Sequence, residues 1–161
     1  MSDTAAALTP VSGQFYRAVD PRFIDSAVAG SRGPGRYSSA EEPTLYLSSS
    51  PEGVRAAMIA HRDERTPVLE TVEISVEADR IFDLRSSQAR RWAGVELEDA
   101  LAPWKGVLAS GQQPPSWAVR HRLESLGAQG LIDPSRKAPG LWHLVLFSWN
   151  DDGAPQVRLA R

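Results

Sequence analysis

No cysteine occurs among the 161 residues of the chain. Disulfide bonds and thiolate-bound metals are therefore excluded, and nothing in the composition indicates an oxidising compartment. No apolar stretch approaches the length of a membrane span, and the small, polar start lacks the basic and apolar segments of a secretion signal. The sequence therefore predicts a cytoplasmic protein that does not contact a membrane.

A large excess of either charge is also lacking. The formal net charge is −2 at pH 7, so a general attraction to the phosphates of nucleic acid is not expected. Of the 18 basic residues, only Lys105 and Lys137 are lysines. Arginine binds phosphates and carboxylates through a planar, two-pronged group. Because a GC-rich genome also produces this bias, each arginine has to be judged by its position.

Strand patterns occupy both ends of the chain, and helical patterns lie between them. Strands are predicted over 14–19, 44–48, 68–76, 81–84, 130–133 and 141–149, and helices over 51–62, 86–93, 96–104 and 115–126. Residues 1–12 have no hydrophobic period and are predicted to form a flexible N-terminal arm, which leaves 13–161 as the folded domain. The sequence thus predicts an α+β fold: a single compact domain with a split, strand-rich sheet and flanking helices.

A loop with three glycines and one proline, residues 30–39, follows the first predicted strand. Its backbone amides, Arg32, Arg36 and Tyr37 are the groups needed to hold a pyrophosphate. The pattern is neither GxGxxG nor a Walker loop, so a Rossmann dinucleotide site and a P-loop ATPase are both disfavoured. A surface loop without a ligand is the alternative interpretation.

Two side chains within the predicted strands could face a ligand. Arg17 shares a strand face with Phe15 and Val19, where a charge is costly to bury unless a ligand or another charge pairs with it. An outward-facing strand arginine is the alternative. Tyr46 could stack on a flat heterocycle, or it could be a core tyrosine.

Glu52 and Ser135 occupy positions that also have ordinary structural roles. Glu52 lies three residues after Ser49, where it would complete a capping box at the start of the predicted helix. Ser135 follows Asp133 and Pro134 at a strand end, where its hydroxyl could bond the turn or face a cleft. The three histidines lack the spacing of a metal site, and no Ser-His-Asp order can be defended. No metal is therefore predicted.

Taken together, several segments resemble the RES-domain family, which is named after an arginine, a glutamate and a serine. The resemblance lies in Phe15–Ala18, Gly35–Tyr37, Leu45–Ser48, Ile81–Leu84 and Gly130–Ser135, in this order and spacing. Members of the family resemble ADP-ribosyltransferase toxins in fold, consume NAD and are paired with a DNA-binding antitoxin that occludes the cleft. The resemblance therefore implies the toxin of a bacterial toxin–antitoxin pair, with NAD as its co-substrate.

The resemblance also implies roles for individual residues. The NAD-binding set would be Arg17, Arg32, Arg36, Tyr37, Tyr46, Ser135 and His143. Arg17 and Arg36 would hold the pyrophosphate or nearby ribose hydroxyls, and Tyr46 would stack on nicotinamide. Ser135 would hydrogen-bond the same ribose or ring, and His143 stands where the family has an asparagine in its last strand.

One departure concerns the family's glutamate, which usually lies four residues before a histidine on the helix after the tyrosine strand. Counting back from His61 reaches Ala57, and the nearest acidic substitute on that helix is Glu52. The predicted catalytic residues are therefore Arg17, Glu52 and Ser135. A glutamate that activates water is dispensable when a target protein supplies the acceptor, so its loss favours transfer of ADP-ribose over NAD hydrolysis.

Three functions stay open at this stage. The favoured one is a toxin that arrests growth by mono-ADP-ribosylating a cellular protein, and the resemblance to the transferase branch of the family implies phosphoribosyl pyrophosphate synthetase as that protein. The second is an NAD glycohydrolase or phosphorylase that depletes NAD. The third is a degenerate domain that binds a nucleotide or a partner without chemistry, as Ala57 would permit.

Overall fold

The computed structural model describes residues 8–55, 68–134 and 140–160. The sequence predictions made for Ala57, His61 and Ser135 therefore lie outside the described residues. The end of the helix predicted over 51–62 also lies outside them, although residues 51–55 are helical.

Most of the strands form a closed ring. The strands are β1 (Leu8–Val19), β2 (Leu45–Ser48), β3 (Glu70–Asp83), β4 (Gly130–Pro134), β5 (Trp142–Leu146) and β6 (Gln156–Leu159). Their order is β1-β2-β5-β4-β3-β6, and β1 also pairs with β3, so that five strands close the ring and β6 extends it. β3 and β4 run parallel, and the other pairs are antiparallel. At the seam between β1 and β2, the register of the described residues joins Tyr16 to Ser48.

Short helices connect the strands. A 3-10 helix (Pro21–Ser26) follows β1, and α1 (Ser87–Ala93), α2 (Leu97–Leu101), α3 (Lys105–Ala109) and α4 (Pro115–Ser125) lie between β3 and β4. Buried residues of α1, α2 and α4 pack against the outside of the ring. The hydroxyl of Ser86 accepts a hydrogen bond from the Ala89 amide at the start of α1, and Gly94 ends that helix in the left-handed conformation. Within the described ranges, no helix is both long enough and apolar enough to cross a membrane.

Strand alternation divides the core between the two faces of the ring. The inner face packs residues from all five ring strands, among them Phe15, Leu45, Leu47, Ile74, Ile81, Ile132, Leu144 and Leu146. The outer face contributes Phe82, Leu84, Leu131, Val145 and Phe147 to a second cluster. Val119 and Leu123 of α4 and Tyr37 of the loop over 30–39 belong to the same cluster. Two apolar layers therefore hold the helices and the ring together.

The α+β class is confirmed, but the third and fourth predicted strands are one continuous strand, β3. The buried residues Val76 and Ala78 are even-numbered, whereas the next buried inner residue is Ile81. The pairing with β1 shifts its register between Thr9 and Val11, opposite this change. A bulge of this kind interrupts the period of two without ending the strand, which is why the pattern predicted two separate strands.

The predicted N-terminal arm also extends too far along the chain. Residues 8–12 belong to β1 and pair with β3, beginning at Leu8 and Phe82. Pro10 suggested an irregular arm, but it lies within the register shift, where a residue without an amide hydrogen is tolerated. Helix α3 and strand β6 were not predicted, because both are short and weakly periodic.

Candidate functional site

A row of polar side chains crosses the outer face of the ring at one end of its strands. In the strand register, Tyr16 lies opposite Ser48, Ser48 opposite His143, and His143 opposite Asp133. Directly paired residues of antiparallel strands point to the same face. Two residues back along the strands, the same face carries the apolar residues Leu131 and Val145. The outer face therefore changes from a packed core to a polar surface within one step of the strands.

Tyr46 lies at the boundary between the apolar layer and this polar row. Its hydroxyl accepts a hydrogen bond from the Tyr37 amide at 3.1 Å and shares a second one with the Ser38 hydroxyl at 2.7 Å. The ring is half-buried against the outer core. Through these two hydrogen bonds, Tyr46 holds the glycine-rich loop against β2.

Gly35 is required where the loop passes over Tyr46. A Cβ atom at this position would lie 2.7 Å from the Tyr46 hydroxyl oxygen and 3.2 Å from Ser38 Oγ. Alanine at Gly35 must therefore push the tyrosine out of its position. A Cβ at Gly33, in the same loop, would have no atom within 4 Å.

We expect Gly35→Ala to lower the free energy of unfolding by about 1–3 kcal/mol, because overpacking displaces neighbouring groups. Gly33→Ala is the matched control and should melt close to the wild type. Thermal unfolding of both variants checks this expectation. Equal melting temperatures for the two variants would show that the loop does not depend on the close approach of Gly35 and Tyr46.

Helix α4 holds the carbonyl side of the same loop. Trp117 Nε1 donates to the carbonyl of Gly35 at 2.9 Å, and the Ser116 hydroxyl donates to the carbonyl of Arg36. Arg120 Nη1 donates to the carbonyl of Tyr37 at 3.1 Å. Three consecutive carbonyls are therefore fixed by three side chains of one helix.

The loop amides are engaged as well. The Gly35 amide donates to the Ser38 carbonyl at 2.8 Å, and the Ser38 amide donates to the Gly35 carbonyl at 3.3 Å. The Tyr37 amide is bonded to the Tyr46 hydroxyl. The prediction that the loop amides hold a pyrophosphate is therefore wrong at these three positions, because the turn uses them to close on itself.

The loop arginines differ in how they are held. Arg36 is half-buried, and its Nη1 donates to the carbonyls of Ala102 at 2.7 Å and Ala100 at 3.4 Å, at the end of α2. Within the described residues, the hydrogen bonds of Arg36 use Nη1, which leaves Nε and Nη2 for a ligand oxygen. Arg32 is exposed. Arg36 is therefore the arginine of this loop that the fold positions in advance.

Tyr37 and Asp133 form a buried pair beside the polar row. Tyr37 is completely buried, and its hydroxyl donates to Asp133 Oδ1 at 2.8 Å. Burial raises the pKa of Tyr37 well above its ordinary value, and the charge of Asp133 raises it further. Because its ring is fully covered, Tyr37 cannot contact a cofactor in this structure. Its hydroxyl instead holds the Asp133 carboxylate.

The RES domain family model matches residues 14–160 of the chain. The chain belongs to the RES-domain family. In fold it is similar to a chain in the crystal structure of the M. tuberculosis MbcT–MbcA toxin–antitoxin complex, with a TM-score of 0.58 and 21% sequence identity. That match covers 96% of this chain and 84% of the other. A search of curated proteins gave no match.

Arg17 of this RES domain lies on the opposite face of β1 from Tyr16. Alternation along the strand groups it with the inner-face residues Phe15 and Val19. It is half-buried, and its Nη1 donates to the Ala27 carbonyl at 2.6 Å. Burial lowers the pKa of its guanidinium. The structure thus places Arg36, Tyr37, Tyr46 and His143 on the outer side of the ring. Arg17 lies on the inner side, apart from these residues. Its catalytic and NAD-binding roles stay predictions.

Glu52 lies near the other end of the polar row. Its side chain is 62% exposed and pairs with Arg55 at 3.3 Å. Burial raises the pKa of Tyr16, and the charges of Glu73 and Glu52 raise it further. A hydrogen bond from its own backbone amide lowers the pKa of Glu52. Its catalytic role stays a prediction.

The predicted capping box at Ser49 is wrong by one residue. The Ser50 hydroxyl accepts from the amide of Gly53 at 3.1 Å, which makes Ser50 the capping residue. Glu52 is therefore the second helical residue and not the third.

His143 links β5 to β2 within the row. Its Nδ1 lies 3.0 Å from Ser48 Oγ, and burial lowers its pKa below the ordinary value. The unfolded chain therefore binds a proton at His143 more readily than the folded protein does. The free energy of unfolding should not depend on this histidine above its pKa in the unfolded chain, which is about 6.5, and should decrease as the pH falls below that value.

We expect His143→Asn to reduce the acid sensitivity of the fold. Between pH 7.5 and 5.5 the wild type should lose more stability than the variant, because asparagine has no proton to bind and the other groups cancel in the comparison. Urea unfolding at the two pH values measures the difference. Parallel losses in both proteins would mean that His143 does not titrate differently on folding.

A cluster of Glu42, His121 and Glu124 anchors the far end of the loop. His121 Nε2 lies 2.8 Å from Glu42, and Glu124 pairs with Arg120 at 3.1 Å. The three side chains offer ligand atoms within 4.8 Å of one another. Glu42 already has a hydrogen-bonding partner in His121, and Glu124 has an ion-pair partner in Arg120, so these contacts account for the cluster.

A groove of about 560 Å³ opens on the inner side of the ring. Phe15, Ile132 and Trp142 line it together with Asp83 and Arg85. The rings of Phe15 and Trp142 meet edge to face at 5.6 Å, and the guanidinium of Arg85 lies 5.0 Å from the centre of the Trp142 ring. This groove is the main alternative to the polar row as a ligand site among the described residues.

Sequence reasoning missed Ser116, Trp117 and Arg120, which hold the loop, and it placed Asp133 at a strand end without giving it a role in the site. The helix pattern over 115–126 was found, but its buried face includes the polar residues Ser116 and Arg120. A charged residue on the buried face of a helix was the available signal, because a buried charge needs a partner.

Proposed function

We propose that this RES domain is the toxin of a toxin–antitoxin pair and that it transfers ADP-ribose from NAD to a cellular protein. The family match over residues 14–160 is the observation that carries the proposal. The outer face supports it because hydroxyl and carboxylate groups lie there together with Arg36. These groups suit the sugars and the pyrophosphate of a dinucleotide.

The antitoxin is the first proposed partner. The similar M. tuberculosis chain was crystallised in a toxin–antitoxin complex, which supports a cognate protein partner for this chain. We infer that a DNA-binding antitoxin covers the outer face that carries the polar row. The toxin itself needs no nucleic acid, in keeping with its net charge of −2.

The second proposed partner is the protein that receives ADP-ribose. The resemblance to the transferase branch of the family supports phosphoribosyl pyrophosphate synthetase as this target. NAD serves as the co-substrate, with Arg36 on the pyrophosphate and Tyr46 against nicotinamide. Arg32, Ser135 and His143 are further proposed contacts.

NAD that carries a label in its adenylate part tests the function. The purified protein is incubated with this NAD and a bacterial lysate, and with purified phosphoribosyl pyrophosphate synthetase in a parallel reaction. Label that stays on a protein band supports transfer, whereas free ADP-ribose or its phosphate indicates NAD degradation. NAD that remains intact in every reaction would contradict the proposal, and lysate without the toxin is the control.

A further inference from the structure

We propose that Asp133 is the carboxylate that faces the positively charged ribose when NAD is cleaved in this site. The inference rests on the proposed function and assigns it a residue that the family resemblance does not name. Two observations carry it, namely the position of Asp133 in the strand register and its burial.

The register places Asp133 at one end of the polar row. It pairs with His143 of β5, which in turn pairs with Ser48 of β2. These three side chains therefore point to the same face of neighbouring strands. A ribose lying across the row would meet hydroxyl, imidazole and carboxylate groups in succession.

The carboxylate of Asp133 is held in advance of any ligand. Tyr37 donates to Oδ1 at 2.8 Å, and the backbone of Tyr37 is itself fixed by Arg120 at 3.1 Å. A charge that needs no rearrangement stabilises a developing charge of opposite sign most effectively. Tyr37 is therefore a positioning residue for Asp133.

Burial favours Asp133 over Glu52 as the carboxylate of the reaction. The side chain of Glu52 is 62% exposed, whereas Asp133 is 9% exposed. Water weakens the field of an exposed carboxylate, whereas a partly dry surrounding strengthens it. Asp133 therefore has a stronger effect than Glu52 on a nearby cation.

The proposed step is the heterolytic cleavage of the bond between ribose C1′ and the pyridinium nitrogen of NAD. Both electrons of this bond leave with nicotinamide, which becomes neutral, and the positive charge passes to C1′ and the ring oxygen. A nucleophilic atom of the target protein then bonds to C1′ and loses its proton to solvent. Asp133 forms no bond and accepts no proton, since its charge alone stabilises the cation.

Asp133→Asn is the direct test, because the amide oxygen can still accept the hydrogen bond of Tyr37 while the charge is removed. Measured as NAD turnover, kcat should fall by about 100-fold or more while KM is retained, as for the loss of one electrostatic group that acts in the transition state. Asp20→Asn is the matched control: it removes a carboxylate that lies outside both the polar row and the inner groove and pairs with Arg22 at 2.7 Å, and it should leave kcat unchanged.

Tyr37→Phe provides a second variant that keeps the charge and removes its hydrogen bond. Its kcat should fall by roughly tenfold, and this result supports the inference even if Asp133→Asn fails to fold.

Wild-type kcat in Asp133→Asn would overturn the inference, as would a loss of kcat in Glu52→Gln that Asp133→Asn does not share. If Asp133→Asn fails to fold, a fully active Tyr37→Phe overturns it. A wild-type protein that leaves NAD intact would overturn the proposed function as well, whereas the preceding outcomes leave that function in place.

Discussion

Replacing Arg120 by methionine will lower the free energy of unfolding by about 3–5 kcal/mol, in the range for removing one partner of a buried charged network. The guanidinium donates to the carbonyl of Tyr37 at 3.1 Å and to the hydroxyl of Thr44 at 2.7 Å. It also lies 4.8 Å from the centre of the Phe147 ring. Methionine fills the space but leaves both oxygens without their donor. For a chain of this length, the melting temperature should fall by roughly 10 °C or more.

Arg122→Met is the control on the same helix. Arg122 is exposed, and its Nε donates to the Ala93 carbonyl at 2.9 Å, so its loss should cost only about 1 kcal/mol. Urea denaturation of the two variants under the same conditions gives the comparison. Similar urea midpoints for the two variants would mean that the hydrogen bonds of Arg120 to the loop do not stabilise the fold more than the single bond of Arg122 does.

Replacing Arg36 by lysine will weaken the binding of ADP-ribose by about tenfold or more, because the loss of one charged hydrogen bond costs about 1.5–3 kcal/mol. The arginine is held by the carbonyl of Ala102 at 2.7 Å, and Nε and Nη2 can then meet phosphate oxygens. Lysine keeps the charge, but its single ammonium cannot hold the carbonyl and grip the phosphate in two places.

Calorimetry with ADP-ribose measures this effect without turnover. Arg22→Lys serves as the control, since Arg22 is 73% exposed and pairs with Asp20 at 2.7 Å. A melting curve confirms that Arg36→Lys is folded, as expected when the backbone carbonyl of Arg36 keeps its bond from Ser116. Unchanged affinity in folded Arg36→Lys would remove Arg36 from the proposed pyrophosphate site.

The fold could be predicted wherever local periodicity and the packed structure agree. Helices α1 and α4 and strands β2, β4 and β5 were expected close to their observed bounds, because their capping residues or apolar runs are local signals. The continuity of β3 could not be predicted, since its bulge depends on pairing with β1 around Pro10. Closure of the ring depends on similarly distant pairings.

The candidate site could be predicted in its residue types but not in its arrangement. Alternation alone grouped Arg17 with Phe15 and Val19, and these residues do share a face. Whether that face is the inner or the outer side of the ring depends on which strands pair with β1. The buried contact between Tyr37 and Asp133 joins residues 96 positions apart. No local pattern encodes such a contact.

We propose that NAD binds on the outer face, across the polar row. A crystal structure of the protein with a non-hydrolysable NAD analogue is the decisive experiment. We expect the nicotinamide ribose beside Asp133 and His143, with the pyrophosphate on Arg36. An analogue bound instead in the inner groove, between Phe15 and Trp142, would contradict it.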